Sequence, residues 1–349
     1  MNFIKYFTLF VLLLSPVISC VESPTTAKLP PASEGGVPYQ KPQNLVAELN
    51  SVRGEHIFAK DNSVLVAGDS LYSINIDDIN NPEIVSIIDL PNRAIGLTVH
   101  NDIAFIPIEN GQFPNHETGG VQIIDIKDIS NPSFIGFYNT PDEILSVAVI
   151  DSFAFLAKRI SYASGELQII NIANLDNPVL IKRIEYENAP RSISISNNMA
   201  YITYYGNELK IFDIGDPAKP IVISENNLLG FNNIHITFDT KEYLVTNYIS
   251  DKIYLVDVSN PESPLKRSEI NSRARTFFTR NNLIYLGSTE GIDVYNINND
   301  QLNSVSSFKT NGIVESISLK NNYVLAMVAI INLDTIEMPP IFQIFEVSN

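Results

Sequence analysis

VQIIDIKDISNP, residues 121–132, is the stretch whose reading decides the fold. A strand-like run ends in Asp125, and a proline follows seven positions later, at Pro132. Taken alone, Asp125 could be a functional carboxylate or the punctuation of a turn. The rest of the chain supplies the comparison. The motif returns as LYSINIDDINNP, LQIINIANLDNP, LKIFDIGDPAKP and IYLVDVSNPESP, then as IDVYNINNDQLN without its proline, and last as FQIFEVSN. The marker residues are Asn75, Asp125, Asn171, Asp213, Asp257, Asn296 and Glu346. Their mean spacing is about 45 residues, the period of a four-stranded propeller blade. A catalytic acid would occur once, and asparagine could not replace it. Asp and Asn do share the ability to accept hydrogen bonds from backbone N–H groups just ahead and so to set a turn. The marker is therefore read as the joint between two strands.

A second signature fixes the frame. Before each marker stand two short strands joined by a polar turn, as in GLTVHNDIAFIPI, SVAVIDSFAFLAK and SISISNNMAYITY. β-branched alternation makes the strands, and Asn/Asp pairs make the turns. After each proline comes one more strand, as in PEIVSIIDL and PSFIGFYNT. Each repeat thus supplies four strands, a to d, with the marker ending c and the proline opening d. Seven such units predict an all-β, seven-bladed propeller over residues 43–349. The last unit stops at strand c, while NLVAELN, residues 44–50, stands where a strand d would precede the first strand a. That segment is expected to complete the last blade and close the ring.

The repeated Leu/Val-rich strand ending in Asp resembles the LVIVD-repeat family. The likeness runs over about residues 44–349, with Asn or Glu at four of the seven markers. It implies a propeller on a bacterial or archaeal envelope protein and leaves activity undefined.

The N-terminus points to the same address. MNFIKYFTLFVLLLSPVISC has Lys5 followed by an apolar run from Tyr6 to Leu14, too short to span a bilayer but suited to an export signal. It ends in Val17-Ile18-Ser19-Cys20, which resembles a bacterial lipoprotein box, and Cys20 is the sole cysteine of the chain. The resemblance implies a signal peptide over residues 1–19, with cleavage before Cys20 and lipidation of that residue, which would hold the protein on a membrane. Residues 20–42 carry five prolines and no apolar periodicity, the composition of an extended tether. No Asp follows Cys20, so by analogy with enterobacterial lipoproteins the outer membrane of a Gram-negative cell is the expected site.

Composition narrows the function classes. The chain of 349 residues is 45% apolar and 18% charged, a globular balance, and its net charge of -16 argues against nucleic acid as a partner. There is no tryptophan, no P-loop, no GxSxG and no HExxH. Four histidines are present. His56 and His235 align at the first position of strand a in units one and five, where Gly96, Ser146, Ser192, Thr276 and Ser316 stand elsewhere. Both are expected to line the central channel as hydrogen-bonded residues and not as metal ligands, since zinc needs three or four ligands in close geometry. No cofactor is implied.

The arginines are more informative. Arg53, Arg93, Arg191, Arg273 and Arg275 fall on d–a connections and Arg159 on a b–c connection, so six of the nine arginines gather on one face. They could receive an anionic ligand, since guanidinium binds carboxylate or phosphate bidentately. They could equally pair with Glu55, Asp142, Glu143 and Glu315 on the same connections. Three b–c connections also read as long loops on that face: 109–120, with His116, 159–165, with Tyr162, and 331–340. The favoured reading is a binding or scaffolding module for an envelope protein or glycan, without enzymatic activity. The alternative is a lyase or hydrolase in which an arginine neutralises a carboxylate and His116 or a tyrosine acts as base.

Overall fold

A computed structural model of the chain describes residues 42–109, 119–161, 163–206, 208–227, 233–238, 241–248, 251–330 and 340–347. Cys20 and the expected leader, His116, Tyr162, most of the 109–120 and 331–340 connections and the side chain of His235 lie outside the described residues.

The described strands form seven four-stranded antiparallel sheets. Blade 1 consists of strand a (His56–Lys60), b (Ser63–Ala67), c (Ser70–Asn75) and d (Glu83–Asp89), paired in that order. Blades 2 to 6 repeat the order over 98–139, 143–186, 190–226, 233–271 and 276–308. Blade 7 takes strands a to c from Ile313–Lys320, Tyr323–Ala329 and Ile341–Glu346, and its outer strand is Leu45–Leu49. Leu45 lies opposite Phe345 and Leu49 opposite Phe342, so the N-terminal segment closes the last blade as its position in the repeat predicts. Among the described residues no helix is long and apolar enough to cross a membrane.

Burial explains why strands b and c are continuous apolar runs while strand d alternates. Ile103–Ile108 and Phe153–Ser161 are strands b, and their centres are buried on both faces because a neighbouring blade packs on each side. Strands d show one face to solvent, as in Glu83–Asp89. Seven apolar clusters result, one at each blade-to-blade seam. Leu65 and Leu71 of blade 1 meet Ile106 and Ile124 of blade 2. Leu325 and Phe342 of blade 7 meet Val64 and Ile74 of blade 1, so the ring is closed by packing as well as by strand pairing.

Hydroxyls in strands a stitch the inner wall. Ile57 N donates to Ser316 Oγ (3.2 Å) and Ala59 N to Ser318 Oγ (3.0 Å) across the seam of blades 7 and 1. Ile193 N donates to Ser146 Oγ (3.2 Å), and Thr98 Oγ1 donates to the Val147 carbonyl (2.8 Å). The small polar residues that recur in strand a thus satisfy backbone groups of the adjoining blade.

One face is built from repeated turns. In five blades the marker oxygen accepts from the N–H two residues ahead: Asn75 from Asp77, Asp125 from Lys127, Asn171 from Ala173, Asp213 from Gly215 and Asp257 from Ser259, at 2.8–3.1 Å. A second Asx turn follows at once, with Asp78, Asp128, Asn174, Asp216 and Asn260 each accepting from the residue two ahead. The residue after the marker donates back to the a–b hairpin, as in Ile126 N to the Asp102 carbonyl (2.9 Å), and this bond recurs in all seven blades, in blade 5 to Glu242 within strand b. The a–b turns place Asp61, Asn101, Asp151, Asn197, Asn281 and Asn321 at positive φ, a conformation that Asn and Asp tolerate.

The sixth blade departs from this pattern where its proline is lost. A two-residue turn, Asn299 and Asp300, both at positive φ, joins its strands c and d. The Asn296 Oδ1 is left without a hydrogen-bond partner. Asp300 instead accepts from Lys241 Nζ (2.6 and 2.8 Å) and from the Tyr243 hydroxyl (2.6 Å) of blade 5. The contact exists because the a–b hairpin of blade 5 runs two residues further on each strand. Its last pair is Phe238 with Lys241, whereas the marker Asp257 pairs with Tyr243. In blade 1 the last pair, Lys60 with Ser63, is level with the marker, because Ser63 also pairs with Asn75.

Candidate functional site

That longer hairpin corrects one expectation. His235 pairs with Leu244, next to the partner of the marker, which makes it the register equivalent of Ala59 and not of His56. The two histidines therefore do not occupy corresponding places around the ring. His56 interacts with the backbone of Ala94 in the connection to blade 2, and burial, with Arg93 nearby, lowers its pKa to about 4. It is neutral at pH 7. Among the described residues no group of three His, Cys, Asp or Glu side chains could hold a metal ion.

The six arginines do share the face opposite the repeated turns, but their backbone settings differ from the expected connections in two cases. Arg159 is on strand b, which extends to Ser161, and strand c begins at Ser164. The segment 159–165 is thus largely a hairpin end, because Arg159 pairs with both Glu143 and Gly165 along the sheet. Arg191 lies in strand a of blade 4, Pro190–Ser196.

Most of these guanidiniums meet carboxylates on the same face. Arg93 contacts Glu55 and lies 3.6 Å from Glu109. Arg159 contacts Glu143, and Arg275 is 3.1 Å from Glu315. Arg273 is 3.3 Å from Asp251, and Arg53 donates to the carbonyls of Asn50 and Val52. Asp142 takes a different partner, Lys158, at 2.8 Å. Lys158 is buried, and Glu166, at 3.4 Å, is buried with it and receives Arg183 at 3.2 Å. A buried charge needs partners of this kind, and the set is satisfied within blade 3. Lys210 is held similarly in blade 4, 3.1 Å from Glu225 and 5.3 and 5.5 Å from the rings of Tyr186 and Tyr204. These lysines interrupt apolar strands, in FAFLAK and LKIFD, and that interruption is the sequence signal a survey of arginines passes over.

Tyr205 is the hub of a smaller constellation. Its hydroxyl accepts from Arg159 Nη1 (3.1 Å) and from Arg191 Nη1 (2.9 Å), and the Arg191 guanidinium stacks 5.1 Å from its ring centroid. Arg191 then reaches the edge of a cleft of about 550 Å³ over blades 4 to 6, and Arg273 and Arg275 stand on its wall. Asn247, Ser272 and Thr289 also line it. The wall is fixed by backbone bonds: Ser272 N to the Asp251 carbonyl (2.8 Å) and Arg275 N to the Gly287 carbonyl (2.8 Å). Three of the six arginines are thereby brought to one concavity, while Arg53 and Arg93 stand apart from it. The described lining has the chemistry of an anion receptor.

Comparison with known proteins agrees with this architecture. The LVIVD repeat family model matches residues 117–140 and 189–227, which cover the marker motif of unit two and most of unit four. No curated protein sequence matches the chain. Among solved structures, a functionally unknown protein from Desulfotomaculum acetoxidans is 15% identical with a TM-score of 0.62, covering 80% of this chain and 95% of that one. A protein from Lactobacillus plantarum is 11% identical with a TM-score of 0.64, covering 82% and 100%. BamB from Moraxella catarrhalis is 11% identical with a TM-score of 0.52, covering 83% and 81%. At such identities the likeness is one of fold.

Proposed function

We propose that the protein is a lipid-anchored propeller of the cell envelope, working as a binding or scaffolding module for an envelope protein or glycan through the arginine-bearing face. The observation that carries this reading is the division of labour between faces. One is occupied by Asx turns that recur in five blades, while the other holds individual, non-repeating side chains around a cleft. Binding surfaces on rigid scaffolds are built from such variable connections. The leader and Cys20 support the address, and the test of the anchor is direct. Wild-type protein labels with a fatty-acid analogue and Cys20→Ala does not; a labelled Cys20→Ala protein overturns the anchor. Cross-linking on whole envelopes followed by pull-down should recover one specific partner, with cross-links at the arginine face. Cross-links confined to the Asx-turn face would overturn the choice of face.

A further inference from the structure

We infer that the cleft over blades 4 to 6 is a binding site for an acidic sugar, a hydroxyl-rich small molecule carrying a carboxylate. The inference rests on the proposed binding role of this face and names the chemistry one part of it accepts. Three guanidiniums reach the cleft, from Arg191, Arg273 and Arg275. Among the described lining residues three are arginines and one, Asp251, is a carboxylate, 3.3 Å from Arg273, while Glu315 meets Arg275 at 3.1 Å; the described lining is thus more basic than acidic on a chain of net charge -16. Such an excess on an acidic protein selects an anion locally where the global field would repel it.

Charge alone does not describe the lining. The lining also includes the amide of Asn247 and the hydroxyls of Ser272 and Thr289, with Asp251 as an acceptor. Among the described residues that line the cleft, the one aliphatic member is Ala274. Ring hydroxyls, which both donate and accept, match amide, hydroxyl and carboxylate partners, while the sugar carboxylate takes the planar fork of an arginine. The volume of about 550 Å³ is within the usual span of small-molecule sites, roughly 300–1,000 Å³, and holds one or two sugar rings. Arg191 is pre-oriented by its hydrogen bond to Tyr205 and by stacking on that ring, so it brings a fixed guanidinium to the site. Arg273 is 71% exposed, so it is free to swing from Asp251 to a ligand without disturbing the fold.

The test is a titration of the full-length protein, followed by calorimetry and by ligand-observed NMR. The probes are D-glucuronate, tetragalacturonate, glucose, succinate and inorganic phosphate. The expected result is binding of the two sugar acids, at least about tenfold tighter than succinate or phosphate, with glucose silent. Arg273→Ala should weaken the sugar acids about tenfold while leaving the melting temperature unchanged, and Arg191→Ala should weaken them further. Absence of sugar-acid binding, equal binding of succinate or phosphate, or binding indifferent to Arg273→Ala would overturn the assignment. None of these outcomes bears on the envelope pull-down, so the proposed face can stand if the sugar site falls.

Discussion

The two faces of the propeller are made by different rules. On the face that carries the markers, the same two hydrogen bonds are used five times, and Asp and Asn exchange freely because each need only accept from a backbone N–H. On the opposite face the backbone bonds recur, as in Leu90 N to the Asp69 carbonyl and Ser272 N to the Asp251 carbonyl, but among the described residues the arginine side chains each meet a different setting. Arg93 lies between two glutamates, Arg191 stacks on a tyrosine and Arg273 meets an aspartate in solvent. Repetition marks what the fold needs at every blade, and singularity is what the proposed binding role draws on. The comparison can be broken at several points.

The largest effect is expected at the seam. Removing residues 43–50 takes away the outer strand of blade 7 and with it the buried Leu45 and Ala47, exposing the edge of Ile341–Glu346. The loss of two or three buried apolar side chains and a strand's hydrogen bonds is worth about 5 kcal/mol, or a fall of roughly 10 °C in Tm. An unchanged melting temperature would refute the closure. Next is Arg267→Ala. Asp257 is the one marker of the five that also receives a guanidinium, from Arg267 Nε (3.0 Å) and Nη2 (2.7 Å), and its side chain is 8% exposed. Leaving that carboxylate without its cation should cost about 3 kcal/mol in denaturant unfolding, and Asp257→Asn in the same chain should recover part of it. If Arg267→Ala is neutral, the guanidinium adds nothing to the turn that Asp257 sets.

A single ordinary marker should matter less. Asp125→Ala is expected to cost about 1 kcal/mol and Asp125→Asn less than about 0.5 kcal/mol, since only the acceptor is needed. A large loss on Asp125→Asn would return a charge-dependent role to that residue. The pH dependence sharpens the same point in blade 6. Hydrogen bonds from Lys241 and Tyr243 hold the Asp300 carboxyl below its ordinary value of 3.8. A depressed folded-state pKa stabilises above the unfolded value and is lost as the pH falls through the folded one. Stability should therefore decline as the pH drops below about 4, and Asp300→Asn should flatten that decline. An identical acid profile in the variant would sink the assignment. The smallest effect is on the other face: Arg273→Ala should leave Tm within about 1 °C, because an exposed ion pair contributes little.

The fold was legible because seven copies report on one another. A marker that is Asp, Asn or Glu in register is decided by alignment with itself, and the position of residues 44–50 relative to the first strand a was enough to close the ring. The correspondence of His56 with His235 failed because a hairpin in blade 5 grew by two residues on each strand. Such growth leaves the alternation intact while shifting every facing residue. The segment 159–165 read as a long loop between strands b and c, yet its residues extend both strands where the hairpin end stands in solvent, as Ser161 opposite Ser164 does. The cleft was only half visible. Arg191 and Arg275 are identifiable as members of one face, but Asn247, Ser272 and Thr289 are ordinary loop and strand residues. Only the packing of three blades brings them together.

The closing strand also sets an order of events. Asp125 and Ser133, at a strand c–d pair within one blade, are eight residues apart, whereas Leu45 must find Phe345. Loop closure over about 300 residues in place of eight adds roughly 3 kcal/mol of chain entropy, at about 0.6 kcal/mol per doubling. The six continuous blades can therefore assemble from local contacts while the seventh waits for both ends of the chain. Ring closure becomes a late step, and until it is taken the strand Ile341–Glu346 presents an unpaired edge to any other chain nearby.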